Sequence, residues 1–299
     1  MTNKLSEKSN IIALGFFDGL HTAHMRVLEE TVKQAGEEFS PCVMLFDEHP
    51  RRVLQGDAVS YLLQNEKRDE MLKNMGITPL YVSFSAIKDM SPEEFTEKIL
   101  VERFSASGVV CGYNYRFGKN ASADSSVLRS LCEKKGISVT VCPEYSVDGS
   151  PVSSTRIRTA VENGDMEEVN KLLGFHFCYS SEVFSGDKRG RLLGAPTINQ
   201  FLPEGLAVPK FGVYASKVFF DGKEYTGVTN IGSRPTFQGE SVRSETYIID
   251  YSGDLYGHTV EIKLYKFIRE EKKFPDADAL KKQIKADVSA TEKYFSEKN

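Results

Sequence analysis

The chain has 299 residues, of which 40% are apolar and 27% charged, and its net charge is −4 at pH 7. This length and composition predict a folded protein with a sizeable core divided into two domains. Neither half carries the basic excess of a general nucleic-acid binder. No stretch approaches the roughly 20 apolar residues that cross a bilayer, and the first residues lack the apolar core of a secretion signal. We therefore expect a cytoplasmic protein with no nucleic-acid or membrane partner.

Cysteine usage indicates a reducing compartment. The five cysteines are odd in number and none belongs to a CxxC pair, so neither a disulfide framework nor a structural zinc site is expected. They are predicted to be reduced thiols, most of them buried: Cys42, Cys111, Cys132, Cys142 and Cys178.

Up to about residue 178, short apolar strands alternate with helical patterns, which predicts a parallel sheet with helices on both faces. The predicted strands are 11–17, 42–46, 80–84, 109–111 and 137–142, and the predicted helices are 23–35, 66–75, one opened by Ser91, and 124–135. Ligands of such a doubly wound sheet bind beyond the carboxyl ends of the strands. Site residues are therefore expected in the segments that follow them.

The most informative segment is Gly15–His24, GFFDGLHTAH, which joins the first strand to the first helix. His21 and His24 fall at the predicted helix N-terminus, where unpaired N–H groups and the helix dipole favour an anion. Two imidazoles there can donate to phosphoryl oxygens as negative charge builds during nucleotidyl transfer. A structural pair or half of a metal site is the alternative, but the chain has only five histidines and no third ligand with metal-binding spacing lies close in sequence.

This run resembles the GxFDGxHxGH signature of the cytidylyl- and adenylyltransferase superfamily. The matching residues are Gly15, Phe17, Asp18, Gly19, His21 and His24. Ala23 departs from the signature, in which glycine stands between the histidines, and its methyl group could crowd the nucleotide.

Three further segments of the first half carry groups suited to a nucleotide. Ser153–Arg158 gathers hydroxyls and two guanidiniums at a predicted helix start, where they could hold a triphosphate; a capped helix with solvated arginines is the alternative. His49 follows the second strand at the same sheet edge and could lie near the nucleotide, or be a surface histidine. Asn114–Gly118 could set an aromatic face and a cation beside a planar ligand, although Phe117 could equally belong to the core.

After residue 178 the sequence is rich in strand patterns. Predicted strands 213–220 and 225–230 flank the turn pair Asp221-Gly222, and strands 246–251 and 259–267 flank a turn at 252–254. This arrangement predicts a small barrel or sandwich. Apolar residues at helical spacing after Asp276 predict a terminal helix that packs on it.

Three polar residues of the second half suit phosphoryl transfer. Thr197 and Asn199 follow a glycine-bordered loop, and their side chains share one face because they are two residues apart in an extended segment. Their oxygens suit a Mg²⁺ ion carrying ATP phosphates; an ordinary turn is the alternative. Glu245, at the start of a predicted strand, could accept a proton from a hydroxyl that attacks a γ-phosphate, or be a charge on an edge strand.

In chain order, the segments GFFDGLHTAH, FDEHP, GYNYRFG and SSTRIR resemble the adenylyltransferase module of prokaryotic bifunctional riboflavin kinase/FAD synthetases. The segments GRLLGAPTIN, NIGSRPTF, SETYIID and FIREEKKF resemble the riboflavin kinase module, so the resemblance covers nearly the whole chain. It implies a Rossmann-like α/β nucleotidyltransferase domain over residues 1–178 and a six-stranded β-barrel with a terminal helix over residues 179–299. It also implies riboflavin, FMN, FAD and ATP as bound molecules and Mg²⁺ as the ion that accompanies ATP.

The resemblance assigns roles to individual residues. Glu245 would be the catalytic base on the ribityl 5′-hydroxyl, and His21 and His24 would stabilise the transferring phosphoryl group. Thr197 and Asn199 would hold Mg·ATP. The other residues expected to bind nucleotide are Gly15, Phe17, Asp18, Gly19, Ser154, Thr155, Arg156, Arg158, Gly186, Lys188, Gly190 and Arg191. Those expected to bind flavin are His49, Asn114, Arg116 and Phe117.

Ala23, Glu48 and Ala123 depart from the family pattern, which has glycine, proline and glycine at these positions. The departures bear on adenylyl transfer more than on the fold. They leave two alternatives to a bifunctional enzyme: a riboflavin kinase with an impaired adenylyltransferase domain, and a flavin-sensing regulator that has lost turnover. The sequence does not fix the oligomeric state.

Overall fold

The structure is a computed structural model that describes residues 9–47, 53, 60–186, 196–236 and 239–298, with the backbone alone for 234–236 and 239–240. Two compact units make up the fold: Met1–Val59 with Asn65–Ser153, and Ser60–Gln64 with Ser154–Asn299. The helices between Ser154 and Leu173 group with the second unit, so the compact units divide at Ser154. The functional boundary near residue 178 stays a prediction.

The first unit is an α/β domain, as the alternating pattern predicted. Its strands are β1 (Asn10–Leu14), β2 (Ser40–Phe46), β3 (Thr78–Val82), β4 (Ala106–Gly112), β5 (Arg116–Phe117), β6 (Ala123–Asp124), β7 (Ser138–Cys142), β8 (Ser146–Val147) and β9 (Ser150–Pro151). Its helices are α1 (Thr22–Ala35), α2 (Asn65–Asn74), α3 (Phe84–Ile87), α4 (Pro92–Glu94) and α5 (Ser125–Glu133). A parallel sheet runs in the order β3-β2-β1-β4-β7. The strands are rich in buried apolar residues because helices cover both faces of a parallel sheet.

The predicted helix start at Ser91 is confirmed. Ser91 Oγ accepts a hydrogen bond from the Glu94 N–H at 3.1 Å, and Glu94 Oε2 accepts one from the Ser91 N–H at 3.1 Å, which completes a capping box. The helix continues as a π-helix, Phe95–Arg103. The predicted strand 80–84 is wrong at its end, because β3 stops at Val82 and α3 begins at Phe84.

The second unit is a barrel with three helices among its described residues. Its strands are β10 (Cys178–Phe184), β11 (Thr197–Phe201), β12 (Gly212–Phe220), β13 (Lys223–Thr236), β14 (Gly239–Ile248) and β15 (Thr259–Arg269). Its helices are α6 (Ser154–Asn163), α7 (Met166–Leu173) and α8 (Ala277–Ser296). The strands close in the order β10-β11-β14-β13-β12-β15, each antiparallel to its neighbours. Of the predicted barrel or sandwich, the closed barrel is the one observed.

The turns set the ends of the barrel strands. Asp221 and Gly222, with φ of 49° and 70°, form the hairpin turn predicted between β12 and β13. The predicted strand 246–251 is wrong, because β14 begins at Gly239 and ends at Ile248, and Asp250 has a φ of 58° just beyond it. Glu245 therefore lies inside a strand and not at its start.

Side chains along the barrel strands alternate between the lumen and the outer surface. Thr229 and Thr246 are fully buried inside, with their hydroxyl oxygens 2.9 Å apart, and Gln200 is buried beside them on β11. The residues between these positions face outward. Asn199 and Glu245 therefore lie on the outer surface of the barrel.

The predicted terminal helix is confirmed, and a buried ion pair fixes it to the barrel. Asp276 caps α8 by accepting a hydrogen bond from the Ala279 N–H at 2.8 Å. Arg269 on β15 donates from Nη2 and Nε to Asp287 at 2.7 and 2.9 Å. Asp287 keeps only 3% of its surface exposed, so the ion pair is largely shielded from water.

We expect Asp287→Ala to lower the free energy of unfolding of the second unit by about 3 kcal/mol, because it leaves the Arg269 guanidinium without its partner in a largely buried place. Urea unfolding at pH 7 measures the change. Asp278→Ala, an exposed substitution in the first turn of the same helix, is the matched control and should cost under about 1 kcal/mol. Equal losses in the two variants would contradict this account of the ion pair.

The cysteines are free, as predicted. Cys42, Cys111, Cys132 and Cys178 are buried and Cys142 is half-buried. Burial raises the pKa of the Cys42 thiol to about 11 and that of Cys111 to about 12, so these groups are protonated and unreactive at neutral pH. None of the described helices is long and apolar enough to cross a membrane.

Candidate active sites

The loop between β1 and α1 lies at the carboxyl edge of the parallel sheet. Gly19 and Leu20 have φ of 81° and 41°, so the chain turns sharply and α1 begins with His21 as its N-cap. His21 Nδ1 accepts a hydrogen bond from the His24 N–H at 3.3 Å. A neutral His21 therefore carries its ring proton on Nε2, from which it can donate to an anion at the helix N-terminus.

His24 packs against His21 and Phe17. The two imidazoles stack with centroids 3.6 Å apart, and the Phe17 centroid lies 5.2 Å from that of His24. His24 Nδ1 is buried and has no hydrogen-bond partner among the described residues. Burial, and then the charge of His21, hold the pKa of His24 well below its ordinary value of 6.5. His24 is thus neutral at pH 7, and a bound anion would favour its protonation.

The lowered pKa of His24 predicts that the folded protein loses stability as pH falls below about 6.5. In that range the unfolded chain takes up a proton on His24 that the folded chain does not, so the free energy of unfolding decreases by up to about 1.4 kcal/mol per pH unit. Above this range both states are neutral and His24 has no effect. Urea unfolding at pH 7.5 and 5.5 tests this: the wild type should lose about 1 kcal/mol more than His24→Asn, and identical losses would contradict it.

The other matching residues of the motif shape the same loop. Phe17 and Asp18 are buried, with 3% and 6% of their surface exposed. Gly15 lies against the Phe17 ring, since a β-carbon there would sit 3.3 Å from Phe17 Cε2. Ala23 is the second residue of α1 and is half-buried. The structure therefore gathers the whole motif around the N-terminus of α1.

The segment after β4 reaches the same edge of the sheet, because the carboxyl ends of parallel strands lie together. Asn114 and Arg116 are exposed there. Phe117 is buried, with ring centroids 5.5 Å from Phe95 and 5.8 Å from Tyr115, so its contacts are those of a core residue and we leave it out of the flavin site. His49 and Glu48 lie outside the described residues.

The segment Ser154–Arg158 forms the start of α6 and belongs to the second unit. Arg156 is paired with Glu168 of α7, and Arg158 Nε donates to the Ser60 carbonyl at 2.7 Å. Ser154 is half-buried and Thr155 is exposed. The two guanidiniums therefore hold α6 to its neighbours, and Thr155 offers its hydroxyl at the surface.

The polar residues predicted in the second half meet on the outer face of the barrel. Asn199 on β11 is the cross-strand partner of Glu245 on β14. Thr197, two residues before Asn199 on the same strand, is the partner of Tyr247. Directly opposite residues have β-carbons about 5 Å apart on the same face. Both flanks of β14 are paired, so Glu245 is not on an edge strand.

Gly186 is the described part of the predicted phosphate loop. A β-carbon at Gly186 would lie 2.5 Å from Asn199 Cγ, so only glycine lets the chain pass this close to the Asn199 amide. Lys188, Gly190 and Arg191 lie outside the described residues.

Sequence reasoning missed Asn230 on β13. It is the cross-strand partner of Glu245 on the side away from Asn199, and its Nδ2 donates to Glu271 Oε1 at 3.0 Å. The strand pattern showed that Asn230 was in a strand, but only the register places it beside Glu245. A row of polar side chains thus crosses three strands, with Glu245 at its centre.

The donor set on this face fits a hard divalent cation that carries phosphates. Among the described residues no three His, Cys, Asp or Glu side chains cluster as a metal site. Asn199 Nδ2 faces the Thr197 carbonyl at 3.4 Å, which makes Asn199 Oδ1 and the Thr197 hydroxyl the oxygens suited to a cation.

The first unit has stacked imidazoles at a helix N-terminus of a doubly wound sheet, and the barrel has a carboxylate, an amide and a hydroxyl on one face. These are groups expected of an ATP-using transferase. Comparison with known proteins gives the family. Residues 3–156 match the FAD synthetase family and residues 173–295 match the riboflavin kinase family. The chain belongs to the bifunctional riboflavin kinase/FMN adenylyltransferase family.

Two relatives match this chain over nearly its full length. The chain is 34% identical to the bifunctional riboflavin kinase/FMN adenylyltransferase of Listeria monocytogenes, over 99% of this chain and 95% of the relative. It is also 34% identical to the protein of that name from Bacillus subtilis, over 98% and 95% of the two chains. A crystal structure described as a macrolide-efflux protein from Streptococcus pneumoniae shares the fold, with a TM-score of 0.89 and 30% identity over 96% of this chain and 95% of that chain.

Proposed function

We propose that this chain makes FMN from riboflavin and ATP on the barrel, and FAD from FMN and a second ATP in the α/β unit. The observation that supports the proposal most is that Glu245 and Asn199 are cross-strand partners on the outer face of the barrel, with Thr197 two residues before Asn199 on the same strand. We assign the adenylyltransferase to residues 1–178 and the kinase to residues 179–299.

In the kinase step, Glu245 accepts the proton of the riboflavin 5′-hydroxyl. The hydroxyl oxygen forms a bond to the γ-phosphorus of ATP while the bond from that phosphorus to the β,γ-bridging oxygen breaks, so ADP leaves in line. Because little covalent chemistry falls to the protein, positioning and charge neutralisation account for most of the rate enhancement. Asn230 flanks Glu245 and helps to orient the acceptor.

A divalent cation is required by ATP-dependent enzymes of this family, and we propose Mg²⁺. Bound with ATP, it would neutralise charge on the β- and γ-phosphates. Thr197 and Asn199 would hold it, and Gly186 lets the chain pass close to the Asn199 amide. Lys188, Gly190 and Arg191, which lie outside the described residues, are proposed to contact the phosphates. The oxygen-only donor set supports magnesium over a softer metal.

In the adenylyl step, an FMN phosphate oxygen attacks the α-phosphorus of ATP, and the bond to the α,β-bridging oxygen breaks to release pyrophosphate. His21 donates from Nε2 to the transferring phosphoryl group, and His24, whose ring stacks against that of His21, stabilises the same developing charge. Asp18 and the turn at Gly19 shape the backbone that receives the nucleotide. His49, Asn114 and Arg116 are proposed to contact the flavin. The nucleotide-binding role of Ser154 and Thr155 stays a prediction from the sequence, because both residues belong to the second unit. No covalent intermediate is needed.

Chromatography of the products formed from riboflavin, ATP and Mg²⁺ tests the proposal. The expected result is FMN at early times, followed by FAD. If FMN accumulates and added FMN gives no FAD, the chain is a riboflavin kinase with an impaired adenylyltransferase domain. If the protein binds flavin but forms neither FMN nor FAD, it is a flavin-sensing regulator instead.

A further inference from the structure

Four polar atoms inside the barrel have no hydrogen-bond partner among the residues that the structure describes. They are Tyr179 Oη and Ser181 Oγ on β10, Gln200 Oε1 on β11 and Ser244 Oγ on β14, and all four atoms are buried. We call these four residues the polar cluster. A polar atom that leaves water on folding is costly unless another group takes the place of its hydrogen bond to water. Four such atoms together therefore require a partner.

The strand register places the polar cluster on one wall of the barrel lumen. Gln200 and Ser244 are cross-strand partners, so their β-carbons lie about 5 Å apart on the same face. Val183 is the cross-strand partner of Gln200 on the other side and is buried. Tyr179 and Ser181 lie four and two residues before Val183 on β10 and therefore share its face. The polar cluster thus spans three adjacent strands, in the order β10, β11, β14.

Direct contacts within the polar cluster leave these atoms unpaired. Gln200 Nε2 donates to the Ser181 carbonyl at 2.7 Å and to the Val260 carbonyl at 2.8 Å, which uses both N–H groups of the amide and fixes its orientation. Burial raises the pKa of Tyr179, and the nearby Ser244 hydroxyl offsets part of that rise. The Tyr179 and Ser244 hydroxyls nevertheless form no direct hydrogen bond. The groups are close, but a further group is needed to join them.

A neighbouring set of hydroxyls in the same lumen is joined directly. Thr229 Oγ1 lies 2.8 Å from Ser216 Oγ and 2.9 Å from Thr246 Oγ1, so these hydroxyls form a chain across β12, β13 and β14. Thr246 lies two residues after Ser244 on the same strand and the same face. The polar part of the lumen therefore has one half connected by direct hydrogen bonds and another half, the polar cluster, that needs a bridge.

The donors and acceptors of the polar cluster identify the bridging molecule. Gln200 Oε1 can only accept a hydrogen bond, whereas the three hydroxyls can both donate and accept. A water molecule also donates and accepts, and buried waters commonly make about three hydrogen bonds. It can donate to Gln200 Oε1 and to a serine hydroxyl while it accepts from Tyr179. A metal cation suits the site poorly, because none of the four side chains carries a negative charge to offset the loss of its hydration.

We infer that the polar cluster binds a water molecule that is a structural component of the barrel. The inference goes beyond the proposed function and does not depend on it. Gln200 follows Asn199 on β11, and Ser244 precedes Glu245 on β14. The bound water therefore joins β10, β11 and β14 from the inside, beneath the outer face that carries Asn199 and Glu245, and helps to hold these strands in register.

Urea unfolding of Tyr179→Phe tests the inference through the sign of the change. If water accepts from the Tyr179 hydroxyl, its removal forfeits a hydrogen bond and should lower the folding equilibrium constant of the second unit about fivefold. If the hydroxyl is unpaired, phenylalanine removes a costly buried group and the constant should stay the same or rise, which would overturn the inference. Tyr214→Phe is the matched control, because Tyr214 is equally buried on β12 and its hydroxyl donates to the Lys210 carbonyl. It should lose stability by a similar factor.

A high-resolution crystal structure of the full-length wild type tests the site directly and does not depend on whether a variant folds. The expected result is an ordered water within hydrogen-bond distance, about 2.6–3.2 Å, of at least three of the four atoms of the polar cluster. Direct hydrogen bonds among the four side chains with no such water would contradict the inference, as would a metal ion at this place. Neither measurement needs catalysis, so the result stands even if the chain forms no FMN.

Discussion

Glu245→Gln is expected to lower the kcat for FMN formation at least a hundredfold, while FAD formation from supplied FMN keeps its wild-type rate. Glutamine preserves the size of the side chain and its place opposite Asn199, but it cannot accept the proton of the attacking hydroxyl. General-base catalysis of this kind contributes about 10²–10⁴-fold. Separate assays with riboflavin and with FMN as the starting flavin measure the two steps.

Glu224→Gln is the matched control for this change. Glu224 lies on the neighbouring strand β13 and forms an ion pair with Lys217 at 3.1 Å, away from the proposed reaction. Its replacement should leave both rates within about twofold, because surface ion pairs contribute little. Loss of both activities in a folded Glu245→Gln protein would contradict the assignment of Glu245 to one site alone.

His21→Asn and His24→Asn are each expected to lower FAD formation from FMN by about 10²–10³-fold, the usual effect of removing one preorganised donor to a developing charge. Riboflavin phosphorylation should be unchanged. Asparagine at position 21 is informative because it is a good N-cap and can still accept from the His24 N–H. The variant therefore removes the imidazole donor while keeping the start of α1.

The matched control for the histidines is His258→Asn, which changes an exposed histidine of the second unit and should alter neither step. Thermal unfolding of all three variants checks that the α/β unit remains folded. An FAD rate within about threefold of the wild type in both His21→Asn and His24→Asn would contradict the proposed role of the stacked pair.

Local patterns predicted the elements on which the sites depend. Apolar spacing after Ala23 and the glycine at position 36 predicted α1, and the structure confirms both the helix and the two histidines at its N-terminus. The spacing of Thr197 and Asn199 predicted a shared face, which the register of β11 bears out. These features depend on residues within a few positions of one another, so a single sequence contains them.

Features that depend on distant contacts could not be predicted in this way. The two cross-strand partners of Glu245 are Asn199, 46 residues before it, and Asn230, 15 residues before it. The pairing and register of β14 with β11 and β13 bring them together. The orientation of Phe117 toward the core depends on packing against Phe95. The π-helix Phe95–Arg103 keeps the composition of an ordinary helix, so local propensity does not distinguish it. The grouping of α6 with the barrel unit likewise depends on tertiary contacts such as Arg158 to Ser60.

The central claim is that two sites act independently within one chain. Mixing equal amounts of the Glu245→Gln and His24→Asn proteins with riboflavin, ATP and Mg²⁺, followed by chromatography of the flavins, tests it most directly. We predict that Glu245→Gln alone forms neither product, that His24→Asn alone stops at FMN, and that the mixture forms FAD because FMN released by one chain is adenylylated by the other. A mixture that forms no FAD, or a His24→Asn protein that forms FAD as fast as the wild type, would contradict the two-site account.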